Sequence, residues 1–103
     1  MLNTKWPELE LMYHVPNGGY RNKAEAERFR SQGVKSGVPD IVLPVARGGY
    51  HGLYIELKRT VGGRVSEEQR EWLDRLTEQG YYAAMCRGWD EAKNVIEGYL
   101  QQD

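Results

Sequence analysis

A chain of 103 residues, 40% apolar and 28% charged, has the length of one domain and the composition of an ordinary globular protein. It holds no apolar run near the ~20 residues of a membrane span, and its first twenty residues lack a signal peptide's charged-then-apolar order. The single Cys86 excludes an internal disulfide, and with only His14 and His51 beside it a structural zinc site lacks ligands. The net charge of −1 hides an asymmetry. Residues 21–64 carry nine basic side chains against four acidic ones, and the rest of the chain carries five against eleven. Such segregation is what a protein with one face for a polyanion and one solvated acidic face would show, although charge-divided surfaces are common.

Taken in order, the N-terminal ten residues are interrupted by Trp6-Pro7, which bars a long helix because proline disfavours helical geometry in the residue before it. Leu11 to Val15 reads as a strand, and Pro16-Asn17-Gly18-Gly19 stops it. Asn22 can then cap a helix, with Glu25 in capping-box spacing and Gly33 at the end. Gly37-Val38-Pro39-Asp40 leads into a second strand, Ile41-Val42-Leu43. A glycine-rich turn, Arg47 to Gly52, joins it to a third, Leu53 to Lys58. The basic segment Arg59 to Arg64 reads as a flexible loop. Ser66 starts a helix with Glu67 and Glu68 in its first turn, Trp72, Leu73 and Leu76 as its buried stripe, and Gly80 beyond its end. Tyr81 to Cys86 is a strand in which Cys86 is a small buried hydrophobe. A last helix starts near Gly88 to Asp90, with Trp89, Ala92, Val95, Ile96, Tyr99 and Leu100 at helical spacing as core. This order implies an α/β sandwich on a mixed sheet: an antiparallel central hairpin, then a strand returning parallel through a helical crossover.

The hairpin carries charge where a bland core strand would not. Asp40 stands at the mouth of one strand, and Glu56 and Lys58 lie two residues apart in the other, on one face of a period-2 strand. If Asp40 pairs with Glu56, the register gathers Ile41, Leu43 and Val45 with Leu53, Ile55 and Leu57 on the opposite face; a slip of one residue scatters both sets. The hydrophobic pattern and the candidate site thus select the same register. Two carboxylates on one face, with the backbone carbonyl of Leu57 between Glu56 and Lys58, suit a hard divalent cation such as magnesium. Lys58 is placed to orient or deprotonate an attacking water or to neutralise a phosphate.

The pattern Pro39-Asp40 … Glu56-Leu57-Lys58, with fifteen residues between the acids, resembles the PD-(D/E)xK nuclease superfamily. Four ordered motifs narrow the resemblance to the VRR-NUC family: His14-Val15-Pro16-Asn17-Gly18-Gly19-x-Arg21, Gly37 to Asp40, the Glu56/Lys58 strand, and Ser66-x-x-Gln69-x-x-Trp72-Leu73. It covers about Tyr13 to Leu100. The resemblance implies a restriction-endonuclease-like α/β sandwich with helices on both faces of a mixed sheet. It further implies a magnesium- or manganese-dependent hydrolase of DNA. Asp40 and Glu56, with Leu57 through its carbonyl, would be metal ligands; Lys58 would be the catalytic lysine, with Gln69 pointing at the same site. His14, Asn17, Arg21, Arg59 and Arg64 are the candidate substrate contacts. Stand-alone relatives resemble Holliday-junction resolvases, which implies a homodimer on branched DNA in the cytoplasm of a bacterial or phage-infected cell. Relatives often carry a further glutamate before the first strand; only Glu8 or Glu10 could replace it here.

Blander roles stand beside these. Gln69 is also the N3 residue of a Ser66 capping box. Glu56 and Lys58 could be an exposed edge pair, His14 and Asn17 turn residues, and the arginines solvated charges. A fold does not by itself secure activity, so a non-catalytic nucleic-acid-binding or assembly module is the alternative.

Overall fold

The computed structural model describes residues 5–16 and 37–103. The predicted helix from Asn22 to Gly33 lies outside them. Among the described residues a sheet of four strands runs in the order β1-β2-β3-β4. β1 is Tyr13–His14, β2 Ile41–Leu43, β3 Leu53–Lys58 and β4 Tyr82–Arg87. β2 pairs antiparallel with both β1 and β3, whereas β3 pairs parallel with β4. Among the described residues two helices complete the pattern, α1 at Glu67–Glu78 and α2 at Trp89–Leu100.

The central register is the predicted one. Ile41 faces Ile55, Val42 faces Tyr54 and Leu43 faces Leu53, so continuing one step brings Asp40 opposite Glu56. Pro44 ends β2 because it has no N–H to give the ladder. The reversal is made by Arg47-Gly48-Gly49-Tyr50, whose outer residues bridge and whose glycines have φ of 58° and 87°. Positive φ at both central positions is the geometry of a two-residue hairpin turn that follows the strands' twist, and glycine takes it without steric cost.

Alternation then sorts the side chains. Ile41, Leu43, Leu53, Ile55 and Cys86 are buried with Ala92, Ile96, Tyr99 and Leu100 of α2, and Leu9 closes the cluster. The Tyr99 hydroxyl satisfies its polar end by donating to the Val45 carbonyl at 2.6 Å. Burial, with the charge of Glu91 adding to it, pushes the Cys86 thiol up to about 11; this is a packing residue, as expected. Ile55 has no exposed surface. An Ile55→Ala substitution is expected to cost about 2–5 kcal/mol, read as a lower urea midpoint.

α1 covers the other face. Its capping box is complete: the Gln69 N–H donates to Ser66 Oγ at 3.1 Å, and the Ser66 N–H donates to Gln69 Oε1 at 2.9 Å. It ends in a Schellman motif, with the Gly80 N–H on the Thr77 carbonyl and the Tyr81 N–H on the Leu76 carbonyl, both at about 3.1 Å or less. That use of Tyr81 explains why β4 starts one residue later than predicted.

Three expectations are corrected. The Trp72, Leu73 and Leu76 stripe is half-buried, and no residue of α1 is buried. α1 lies over β4, the edge strand, where the sheet underlies only part of a helix's width. Trp89 is 45% exposed, because as the first residue of α2 it precedes the turns that reach the core. The first strand is only Tyr13–His14, since Pro7–Leu11 forms a 3-10 helix that takes up Leu11.

Candidate active site

β2 begins where Asp40 has left the ladder. In a continued antiparallel pair the Leu57 N–H would find a backbone carbonyl; instead it donates to Asp40 Oδ2 at 2.8 Å. The side chain of Asp40 is therefore held against β3, while its own carbonyl accepts from the Val15 N–H at 2.7 Å and ties in β1. Since the N–H and C=O of a strand residue point to the same side, the Leu57 carbonyl is directed toward Asp40 as well. Period-2 alternation puts Glu56 and Lys58 on the face that carries Asp40.

The result is a cleft of about 360 Å³ lined by His14, Val15, Asp40, Glu56, Leu57, Lys58 and Gln69. Glu56 is only 2% exposed. One of its oxygens, Oε2, lies 3.9 Å from Lys58 Nζ, and the other, Oε1, is buried with no hydrogen-bond partner. Burial is the main cause that pushes the Glu56 carboxyl up to about 8, aided by the neighbouring Asp40 carboxylate; Lys58 opposes the shift. A buried carboxyl with an orphaned oxygen, next to a second carboxylate, is costly unless a cation or proton compensates it. These residues fit a divalent cation. Asp40, Glu56 and the Leu57 carbonyl would be its protein ligands, and waters and phosphate oxygens would complete its shell, as magnesium prefers. Among the described residues no group of three His, Cys, Asp or Glu side chains gathers to hold a metal.

The other predicted residues divide. Gln69 and His14 line the cleft with the central three; Gln69 also spends its Oε1 on the helix cap, which leaves its amide nitrogen free to donate. Removing the cap by Ser66→Ala is expected to lower stability by about 1 kcal/mol and, in an activity assay, to weaken the placement of Gln69. Arg59 and Arg64 are exposed on the β3–α1 loop and do not line the cleft. Asn17 and Arg21 lie outside the described residues. Neither Glu8 nor Glu10 reaches the cleft, and Glu8 is paired with Arg47 instead. Val15 was not anticipated as a lining residue, although its place between His14 and Pro16 in the first motif was a usable signal. Arg87 was missed too, and only the parallel register that pairs it with Lys58 reveals it.

A solved structure carrying the name "VRR_NUC domain protein" superposes with a TM-score of 0.77 at 34% identity, over 90% of this chain and 70% of that one. The mixed sheet with a helix on each face is thus a nuclease-like fold. The VRR-NUC domain model matches residues 1–90, and the chain belongs to the VRR-NUC family of nuclease domains. None of the curated proteins matches. Among the described residues no helix is long and apolar enough to cross a membrane.

Proposed function

We propose that this protein is a magnesium- or manganese-dependent DNA endonuclease that selects branched or flapped structure over sequence and acts as a homodimer. The observation that carries the reading is the buried, unpartnered oxygen of Glu56 beside Asp40 at the mouth of a cleft. Asp40, Glu56 and the Leu57 carbonyl would hold the cation, which when bound would supply charge withdrawal at the scissile phosphate and a more acidic water. The chain's own residues do the rest. Lys58 reaches into the cleft, where its amine can neutralise a phosphate oxygen or exchange a proton with the attacking water. Gln69 offers its amide nitrogen to the same space, and His14 bounds the cleft on the β1 side. Water adds to phosphorus, the bond to the departing sugar oxygen breaks, and the proton lost by the water is balanced by one delivered to that oxygen.

Selection by structure is favoured because no recognition helix is left over among the described residues once the core is assigned. The test is incubation of the purified protein with end-labelled duplex, flap and four-way-junction DNA, with magnesium, manganese or EDTA. Cleavage only with metal, faster on the flap or junction than on the duplex, is expected. Light scattering at monomer mass at micromolar concentration would remove the homodimer. The absence of a third clustered acid among the described residues favours a second reading, a non-catalytic nucleic-acid-binding module. Salt-sensitive DNA binding with no cleavage under any divalent ion would select it.

A further inference from the structure

The segment from Arg59 to Val65 holds two cations and no acid. At its tip Val61 is 84% exposed, more than any other large apolar side chain among the described residues. A lone exposed valine needs no explanation; the bracing of its loop does. Arg87, the register partner of Lys58, turns its guanidinium onto the loop's backbone, where Nη1 donates to the Gly62 carbonyl at 2.5 Å and to the Arg59 carbonyl at 3.4 Å. The Gly88 N–H donates to the Lys58 carbonyl at 2.9 Å. Thr60 packs so closely on Gly88 that a Cβ there would meet its hydroxyl at 3.0 Å. Gly62 and Gly63, with φ of 75° and 62°, turn the chain back directly after Val61. The sequence reading of a flexible loop is therefore replaced by a braced one. Its apolar tip stands three residues beyond Lys58, which lines the cleft.

We infer that this loop is a DNA wedge. Arg59 and Arg64 seat on phosphates beside the cleft, and Val61 enters the minor groove and pushes between base pairs next to the scissile phosphate. The inference rests on the nuclease reading above and adds to it the residue that opens paired DNA at the cut site. Apolar side chains that part a base step meet an unstacking cost of a few kcal/mol. That cost is least where stacking is already interrupted, at a mismatch, flap or junction. A braced loop carrying a β-branched tip loses little conformational freedom on insertion, so more of the contact energy is left to oppose that cost. Cleavage of fully paired DNA then depends on Val61, whereas DNA whose stacking is already interrupted needs the wedge less.

The experiment compares wild type, Val61→Ser and Val61→Leu on duplexes carrying 2-aminopurine at successive positions around the cut site, bound in EDTA. A rise of roughly threefold or more in fluorescence at one or two adjacent positions is expected for wild type and Val61→Leu and none for Val61→Ser, in keeping with local unstacking. With magnesium, Val61→Ser is expected to lower cleavage of paired duplex relative to a mismatched bubble by about tenfold, the size of a lost contribution to a few-kcal/mol unstacking step. The thermal midpoint should not move, since the side chain is exposed. An undiminished signal in Val61→Ser, or equal loss of cleavage on both substrates, overturns the wedge. If wild type cuts DNA but no position brightens, the wedge falls and the nuclease reading stands. If wild type neither binds nor cuts any of these DNAs, the nuclease reading falls and takes the wedge with it.

Discussion

Glu56→Gln is expected to reduce metal-dependent DNA cleavage by about 10³-fold or more while making the metal-free protein more stable. The two effects have one cause. The carboxyl of Glu56 is buried beside Asp40, and in the metal-free fold it is pushed up to about 8 from an ordinary value of 4.5. Between those limits the unfolded chain has released a proton that the folded chain keeps. Folding stability from this group is therefore complete below about 4.5 and is lost as pH rises toward 8, at up to about 1.4 kcal/mol per pH unit. Glutamine stays neutral throughout, so the midpoint difference between variant and wild type should widen from pH 5 to pH 8 in EDTA. Magnesium should narrow it again, because only the wild type gains a ligand. Calorimetry at pH 7 in buffers of different ionisation enthalpy should detect close to one proton released per metal bound, and fewer at pH 9. A midpoint difference independent of pH would show that Glu56 is ionised in the metal-free fold.

Asp40 separates structure from chemistry. Asp40→Asn keeps an oxygen able to accept from the Leu57 N–H, so its stability should stay near wild type. Asp40→Ala leaves that N–H, now bonded at 2.8 Å, without its partner at a part-buried position, which costs about 1–3 kcal/mol. Both should lose about 10²-fold or more in cleavage rate, because both remove a charged oxygen that would ligate the proposed cation. Urea midpoints and single-turnover rates on the same preparations distinguish the two roles. Full activity in Asp40→Asn would leave Asp40 as a backbone clamp alone.

Legibility from sequence followed the physics of each feature. The hairpin register could be read because strand period is two: only one pairing buries Ile41, Leu43, Leu53 and Ile55 together, and it sets Asp40 beside Glu56. The start of α1 was equally readable, since Ser66 and Gln69 act within one turn. The parallel return of β4 followed from a helix intervening between two strands. Features built from distant partners were not readable. Nothing local says that the Leu57 N–H, unable to find a carbonyl beyond the end of β2, takes the Asp40 side chain. The bracing of the 59–64 loop by Arg87 depends on a register between strands separated by α1. The half-exposed Trp72, Leu73 and Leu76 show the same limit from the other side, since helical periodicity marks an apolar face but not the width of sheet beneath it. Asn17 and Arg21, read as substrate contacts, lie outside the described residues and remain proposals.

If the Asp40–Glu56–Lys58 cleft hydrolyses DNA with a divalent metal, single-turnover cleavage of end-labelled flap DNA by wild type and Lys58→Ala will show it. Lys58 is half-buried, and its nearest charged partner is Glu56 Oε2 at 3.9 Å, so its truncation should leave the fold intact. Metal-dependent cleavage by wild type is expected, with none in EDTA and a loss of about 10²-fold or more in Lys58→Ala with DNA binding retained. Undiminished cleavage by Lys58→Ala, or cleavage by wild type in EDTA, would remove this cleft as the metal-dependent catalytic site.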